Sequence, residues 1–290
     1  MKFGRATIDG APRILVSVQD GLRDLTALPG RSSTTDGIDV IGRPVTPDEL
    51  AALASASVVP EPKVWLPPIR HPPKNILCVG RNYADHVREI SASIGADSEL
   101  PTLPAVFTKS HTTLIGHGST VTVDPAWSTE IDYEGELAVI IGRTCRNVPA
   151  SEALDCVFGY SIVNDMSARD RQRMHGQFFL GKSHDGFAPM GPFIVTADEI
   201  PDPQRLHLQT RVNGELRQDA STSDMIFPVA TIIDTLSQVM TLEPGDIIAT
   251  GTPSGVGQGF DPPRFLKTGD AIEISIDRIG TLETVISLTT

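Results

Sequence analysis

The residues of this chain whose types and spacing point most directly to chemistry are Glu134, Glu136 and Asp165. A strand alternates its faces, so Glu134 and Glu136, on either side of Gly135, are expected on one face, ~7 Å apart at their Cα atoms. The apolar run Leu137 to Ile141 follows at once, and Asp165 closes a second β-like run that begins at Tyr160. Carboxylates beside a buried run need a partner or a metal. Two strands whose carboxylates meet at one ion would answer that need. Oxygen-only ligation selects a hard cation, Mg2+, Mn2+ or Ca2+, over zinc or copper, and three carboxylates leave about three octahedral positions for water or a chelating substrate. The same spacing also fits two carboxylates on the solvent face of an ordinary strand.

The elements that must position these groups read mainly as strands. Asn75 to Gly80 is expected as a strand ending at glycine, with Asn82 capping a short helix from Tyr83. His86 and Glu89 lie three apart on that helix and so share a face, a pairing that also suits an exposed helix surface. Residues Ser91 to Pro104 read as a mobile polar loop, a length typical of lids. Ala105 to Lys109 is expected as a strand, Ser167 to His175 as a polar helix and Gly181 to Pro192 as loop. Strands at Phe193 to Thr196, Leu206 to Val212, Asp246 to Thr250, Ile272 to Ile276 and Leu282 to Ile286 complete the list, with a hairpin turn at Asn213-Gly214. Pro228 to Met240 has helical apolar spacing. Arg169, Asp170 and Arg171 read as a solvated charge cluster outside the site.

Residues 1–70 read as a small separate α+β unit. Two short strands flank Asp9-Gly10. A helix follows, capped by Thr46, with Pro47 first and Glu49 completing a capping box, and running through Ala56. The prolines between Pro60 and Pro73 suggest an extended linker to a main domain over 71–290. The expected class is mixed α/β, mainly β.

Composition narrows the function. Net charge is -12 with a pI near 5.0, which argues against nucleic acid or an anionic membrane surface as a partner. Cys78, Cys145 and Cys156 show no C-x-x-C spacing, which suits a reducing compartment without a disulfide framework or zinc site. The start lacks an apolar signal-peptide core and no apolar run is long enough to span a bilayer, so a cytoplasmic location is expected. Two motifs mislead. Residues 176–183 match the phosphate-loop pattern, yet Pro189 and Pro192 downstream break the helix such a loop must open. Gly255-Val256-Gly257-Gln258-Gly259 looks faintly like a dinucleotide loop, but Asp261-Pro262-Pro263 prevents a helix there too.

From Asn75 to Ile286 the chain resembles the fumarylacetoacetate hydrolase family. The blocks are GRNYADHVRE (80–89), DYEGELAVIIG (132–142), GYSIVNDMSARDRQ (159–172), LGKSHDGFAPMGP (180–192), NGELRQDASTSDMIF (213–227) and LEPGDIIATGTPSGVG (242–257). The resemblance implies a mixed β-roll wrapped around the active site, usually in a homodimer. It implies Mg2+ or Mn2+ held by Glu134, Glu136 and Asp165, with Ca2+ as a substitute. It implies a lysine at Lys182, a substrate clamp at Gly251 and Thr252, and a lid-helix pair at His86 and Glu89, as in the shorter members. Taken alone, Lys182 also suits a surface position, and Gly251-Thr252 a mere turn. Arg81 and Gln172 are further residues expected to reach the substrate, and His184, less usual for the family, either reads a polar substrate group or is surface. The larger members carry a longer N-terminal domain with an extra carboxylate ligand, and no clear fourth carboxylate stands out here.

The implied substrate is a small anionic 2-keto or 2,4-diketo acid. The first expectation is a metal-dependent hydrolase splitting a C–C bond of an acylpyruvate or 2,4-diketo acid, in catabolism of aromatic or sugar-derived acids. The alternative is a decarboxylase or isomerase of hydroxymuconate-type aromatic degradation, and a third reading is a non-catalytic metal-dependent binding protein.

Overall fold

The computed structural model describes residues 1–18, 21–95 and 97–289. The chain opens with a hairpin. β1 (Lys2–Ile8) and β2 (Ala11–Val18) pair around Asp9 and Gly10, both at positive φ, the conformation that a tight two-residue turn requires. β3 (Gly21–Asp24) extends the ribbon. Two helices follow, α1 (Gly37–Gly42) and α2 (Pro47–Ala54). The expected capping box is present: the Thr46 hydroxyl accepts from the Glu49 N–H and the Glu49 carboxylate accepts from the Thr46 N–H. α2 stops at Ala54, short of the expected Ala56. β4 (Trp65–Leu66) returns to β1.

The main part begins with β5 (Ile76–Gly80), α3 (Ala84–Ile94) and β6 (Ala105–Lys109), then the short β7 (Leu114–Ile115), β8 (Ser119–Val123) and β9 (Ile131–Asp132). The long central pair is β10 (Gly135–Ile141) and β11 (Val157–Asn164). Next come β12 (Ser167–Ala168), α4 (Arg169–His175), α5 (Phe178–Lys182), β13 (Ala188–Pro189) and β14 (Phe193–Thr196). The chain closes with β15 (His207–Val212), β16 (Glu215–Ser221), α6 (Val229–Val239), β17 (Ile247–Ala249), β18 (Ala271–Ile276) and β19 (Gly280–Leu288).

Among the described residues the strands form one large sheet in the order β3-β2-β1-β14-β11-β10-β17-β5-β6, with β4 on β1, a five-stranded sheet in the order β16-β15-β18-β19-β8, and the two-stranded pairs β12-β9 and β13-β7. The centre of the large sheet is covered on both faces, so β10 and β17 are buried throughout, and beyond Glu136 the residues of β10 from Leu137 to Ile141 are all apolar, as are those of β17. Alternation sorts their side chains. Leu137, Val139 and Ile141 pack with Leu208, Ile272 and Ile274 of the second sheet and with Ile232, Ile233 and Leu236 of α6. Ala138 and Ile140 face the other way, toward Val40, Ile41 and Leu53 of the N-terminal helices. Residues 1–70 therefore do not stand apart as expected. β1 pairs with β14 from Lys2↔Val195 to Gly4↔Phe193, and the N-terminal helices cover one face of the shared sheet. The proline-rich stretch marks a change of layer, not a break in hydrogen bonding.

Three local expectations need correction. Asn82 does not cap α3; Tyr83 holds that position with no side-chain cap bond, because the Asn82 amide is used elsewhere. It donates to the Phe227 and Thr250 carbonyls and accepts from the Phe227 N–H. α3 runs on to Ile94 and ends at Gly95 with φ 66, so Ser91 to Ile94 is helix and not loop. Of the expected loop, Ala96 lies outside the described residues, and 97–104 has no regular structure. Finally, Ser167 and Ala168 form β12, and Ala188–Pro189 forms β13 where loop was expected. No helix among the described residues is long and apolar enough to cross a membrane.

Candidate metal centre

Glu134 directly precedes β10, Glu136 lies within it and Asp165 directly follows β11. The antiparallel register sets Gly135 opposite Asn164, and the Asp165 N–H donates to the Glu134 carbonyl at 2.8 Å. One carboxylate oxygen from each of Glu134, Glu136 and Asp165 lies within 4.8 Å of the others. All three are at most 5% exposed, which removes the solvent-face alternative. Gly135 points to the opposite face, where a Cβ would come within 2.4 Å of the Thr210 hydroxyl of the second sheet. A side chain there would force the two sheets apart.

Four buried carboxylates and three buried cations make up the cluster. The Lys182 ammonium donates to Glu134 at 2.8 Å and to Asp165 at 2.6 Å. Lys109 donates to the other Asp165 oxygen at 2.5 Å and to the Met166 carbonyl at 2.9 Å. Arg169 pairs with Glu134 at 2.7 Å and with Asp132 at 2.8 Å. Glu136 has a single hydrogen-bond partner among the described residues, the Gly251 N–H at 2.8 Å.

The ionisation of the cluster follows from this. Burial by itself would raise Glu134, but Lys182 and Arg169 outweigh it and hold the carboxyl at about 2. Burial, then the negative charges of Asp165 and Glu134, push Glu136 well above the usual carboxylate range. Burial opposes the charge of Lys182, yet Asp165 and Glu134 carry it upward; for Lys109 burial wins and the shift is downward. Four carboxylates against three cations leave one negative charge uncompensated, and Glu136 is where it is felt. A divalent cation answers that deficit, and an all-oxygen donor set suits a hard ion such as Mg2+ or Mn2+. With such an ion the chamber would carry one net positive charge, which suits an anionic ligand.

A cavity of about 390 Å³ opens over the cluster. Glu134, Glu136 and Lys182 lie at its charged end, and Val87, Ile90, Phe107 and Phe178 supply apolar wall. His86 faces it, with Nδ1 3.4 Å from Glu89, whose other oxygen accepts from the Gly255 N–H at 2.8 Å. Arg81 and Gln172 also line the cavity. The Arg81 backbone sits at φ 59, a left-handed conformation that a non-glycine residue adopts at a cost, and its guanidinium reaches the Glu99 carbonyl at 2.9 Å.

The clamp residues are placed differently from the expectation. Gly251 does not line the cavity; its N–H is spent on Glu136, and at φ 100 a Cβ would strike Asn82 Cβ at 2.7 Å. Thr252 does line it, but its hydroxyl already donates to the Gly135 carbonyl and accepts from Gln218. Both residues support Glu136 and its strand. His184 does not line the cavity; half-buried, it packs in a tilted arrangement against Trp127 and Phe187 at ring distances of 4.8 and 4.9 Å. In the phosphate-loop look-alike, residues 178–182 form a short helix and Lys182 turns inward to the carboxylates.

Arg169 overturns its reading as a solvated charge: its side chain is 7% exposed and reaches a site carboxylate. Lys109 and Asp132 were also missed. A signal existed for both. Lys109 ends a strand that opens with the apolar Ala105, Val106 and Phe107, and Asp132 shares the alternation of Glu134 and Glu136.

Comparison with known proteins places this geometry. A family model described as fumarylacetoacetate (FAA) hydrolase, C-terminal, matches residues 75–287. Oxaloacetate tautomerase YisK of Bacillus subtilis (strain 168) is 55% identical over 215 residues, spanning 74% of this chain and 70% of that protein. The structure of a fumarylacetoacetate hydrolase from psychrophilic Exiguobacterium antarcticum aligns over 100% of both chains with 41% identity and a TM-score of 0.86. Maleylpyruvate hydrolase from Sphingobium sp. SYK-6, crystallised with manganese(II) and pyruvate, aligns over 100% of both chains with 32% identity and a TM-score of 0.79.

Proposed function

The chain belongs to the fumarylacetoacetate hydrolase family, and from that premise we propose that it is a divalent-metal-dependent enzyme that moves a proton on a small 2-oxo acid, interconverting keto and enol forms. The observation that carries this reading is the placement of His86 on the wall of the cavity whose charged end holds Glu134 and Glu136. The 55% identical tautomerase supports it and names oxaloacetate as the first substrate to try.

Glu134, Glu136 and Asp165 would hold Mg2+ or Mn2+. A bound ion of this kind supplies Lewis-acid stabilisation of the negative charge that develops on the keto oxygen. Lys182, already between Glu134 and Asp165, adds a fixed positive charge in a dry site. His86 takes the proton from carbon through Nε2, the ring nitrogen not turned to Glu89, and delivers it to the oxygen to give the enol; in the reverse direction it takes the enol O–H proton and returns it to carbon. A positioned base of this type is worth about 10²–10⁴-fold in rate. Arg81 and Gln172 hold the substrate's carboxylate end. Gly251 and Thr252 fix Glu136 and Gly135 in place. The apolar wall excludes water from the proton-transfer path.

C–C bond hydrolysis, the first expectation from sequence, remains as the second reading because of the maleylpyruvate hydrolase relative. In it His86 would deprotonate water instead of carbon. The deciding experiment supplies purified protein with Mn2+ or Mg2+, follows loss of enol-oxaloacetate by ultraviolet absorbance, and runs a panel of 2,4-diketo acids with product identification. Faster ketonisation without C–C cleavage supports the tautomerase reading. Cleavage of a diketo acid with no effect on oxaloacetate replaces it with the hydrolase reading, and inactivity on both sinks the two together.

A further inference from the structure

The stretch Gly255-Val256-Gly257-Gln258-Gly259, which has no place as a dinucleotide loop, closes around two side-chain carboxylates. The Gly255 N–H donates to Glu89 at 2.8 Å. The Gly257 and Gln258 N–H groups donate to the two oxygens of Asp132 at 2.6 and 3.0 Å. Each glycine is there because something else fills the space. A Cβ on Gly259 would lie 2.2 Å from the Glu89 carboxylate carbon, and one on Gly257 would lie 2.5 Å from the Arg264 carbonyl oxygen and 2.7 Å from Asp132 Oδ1. Gly255, at φ 101, would put a Cβ 1.9 Å from the Arg217 carbonyl. The loop is itself braced: Tyr133 donates to the Gly255 carbonyl, Gln258 reaches Ser93 of α3, and Val256 is fully buried.

These two carboxylates lead to different parts of the site. Glu89 belongs to α3 and faces His86. Asp132 grips Arg169, which grips Glu134. We infer that residues 255–259 are a carboxylate cradle that seats the α3 helix through Glu89 and, through Asp132 and Arg169, holds Glu134 in its place at the charged end of the cavity. Gly259 and Gly255 are positioning residues for Glu89. Gly257 is a positioning residue for Asp132. One backbone segment thus sets both the base and the carboxylate chamber, and the seat for Glu89 is open only while position 259 has no side chain.

The inference rests on His86 acting as the base, and the test separates the two ideas. Gly259→Ala is expected to lower kcat about a hundredfold, the lower end of what a positioned base contributes, with KM and Mn2+ affinity by electron paramagnetic resonance unchanged. Amide hydrogen exchange over residues 84–94 should quicken while β10 stays protected. Adding Glu89→Asp, whose shorter side chain withdraws from the new methyl group, should recover part of kcat, although Glu89→Asp alone loses activity. A general folding defect would not be rescued this way. Glu89→Ala empties the seat without touching the loop and should quicken exchange over the same residues. If His86→Ala is fully active, the base reading fails, while faster α3 exchange in Gly259→Ala still upholds the cradle. Wild-type kcat and wild-type α3 exchange in both Gly259→Ala and Glu89→Ala would overturn it.

Discussion

Arg31 in the N-terminal region and Arg169 in the chamber are both buried guanidinium groups gripping carboxylates. Arg31 is fully buried and makes a two-pronged pair with Glu49 at 2.8 and 2.7 Å, and its remaining donors reach the Arg43 and Pro44 carbonyls at 2.6 and 2.9 Å. Its charge and its donors are matched, so it holds the turn before α2 and nothing else is required. Arg169 belongs to a cluster with more carboxylates than cations, and Glu136 within it has, among the described residues, a backbone N–H as its one hydrogen-bond partner. A buried ion pair that balances is architecture. A buried cluster that converges and does not balance leaves a surplus charge that is costly to bury, which a bound cation would offset.

Removing the surplus should have the largest effect. Glu136→Gln is expected to lower Mn2+ affinity by more than the about 10–100-fold that loss of a supporting group costs a metal site. It should also abolish metal-induced stabilisation, which for the parent protein amounts to about 2.7 kcal/mol at a hundredfold excess over Kd; isothermal titration and thermal melts with and without Mn2+ measure both. His86→Ala should reduce kcat by about 10²–10⁴-fold and leave Mn2+ binding intact, as checked by steady-state kinetics alongside the same titration. Arg31→Met should cost about 1.5–3 kcal/mol for charged hydrogen bonds lost, read by urea denaturation, with no change in Mn2+ affinity. A metal-binding defect in that variant would break the contrast between the two regions.

The smallest effect is on pH. The Arg31 side chain, then the Thr46 N–H, hold the Glu49 carboxyl down to about 2 against an ordinary 4.5. A carboxyl lowered in the folded state contributes stability that is complete above 4.5 and is lost as pH falls toward 2. Hydrogen exchange near α2 should therefore rise across that window.

Much of the site was legible because its ligands lie on local patterns. Alternation in β10 put Glu134 and Glu136 on one face, and helical spacing put His86 beside Glu89. The capping box of α2 was readable residue by residue for the same reason. Arg169, Lys109 and Asp132 were not read correctly, because their roles depend on partners far away in sequence. Arg169 next to Asp170 and Arg171 looks like surface until β12 pairs with β9 and carries it to Asp132. The separateness of residues 1–70 was misjudged likewise, since β1 finds its partner β14 across most of the chain.

By itself the sequence determined most of the longer strands, the cap of α2, the three convergent acids and the family, all consequences of short-range periodicity and of residue types in order. Only the tertiary structure decided which charges are buried together, that Gly251 serves Glu136, and that a glycine loop near the C-terminus cradles the acids of α3 and β9. Those depend on long-range strand pairing, which brings groups of low individual specificity into one desolvated space where a single unmatched charge becomes decisive.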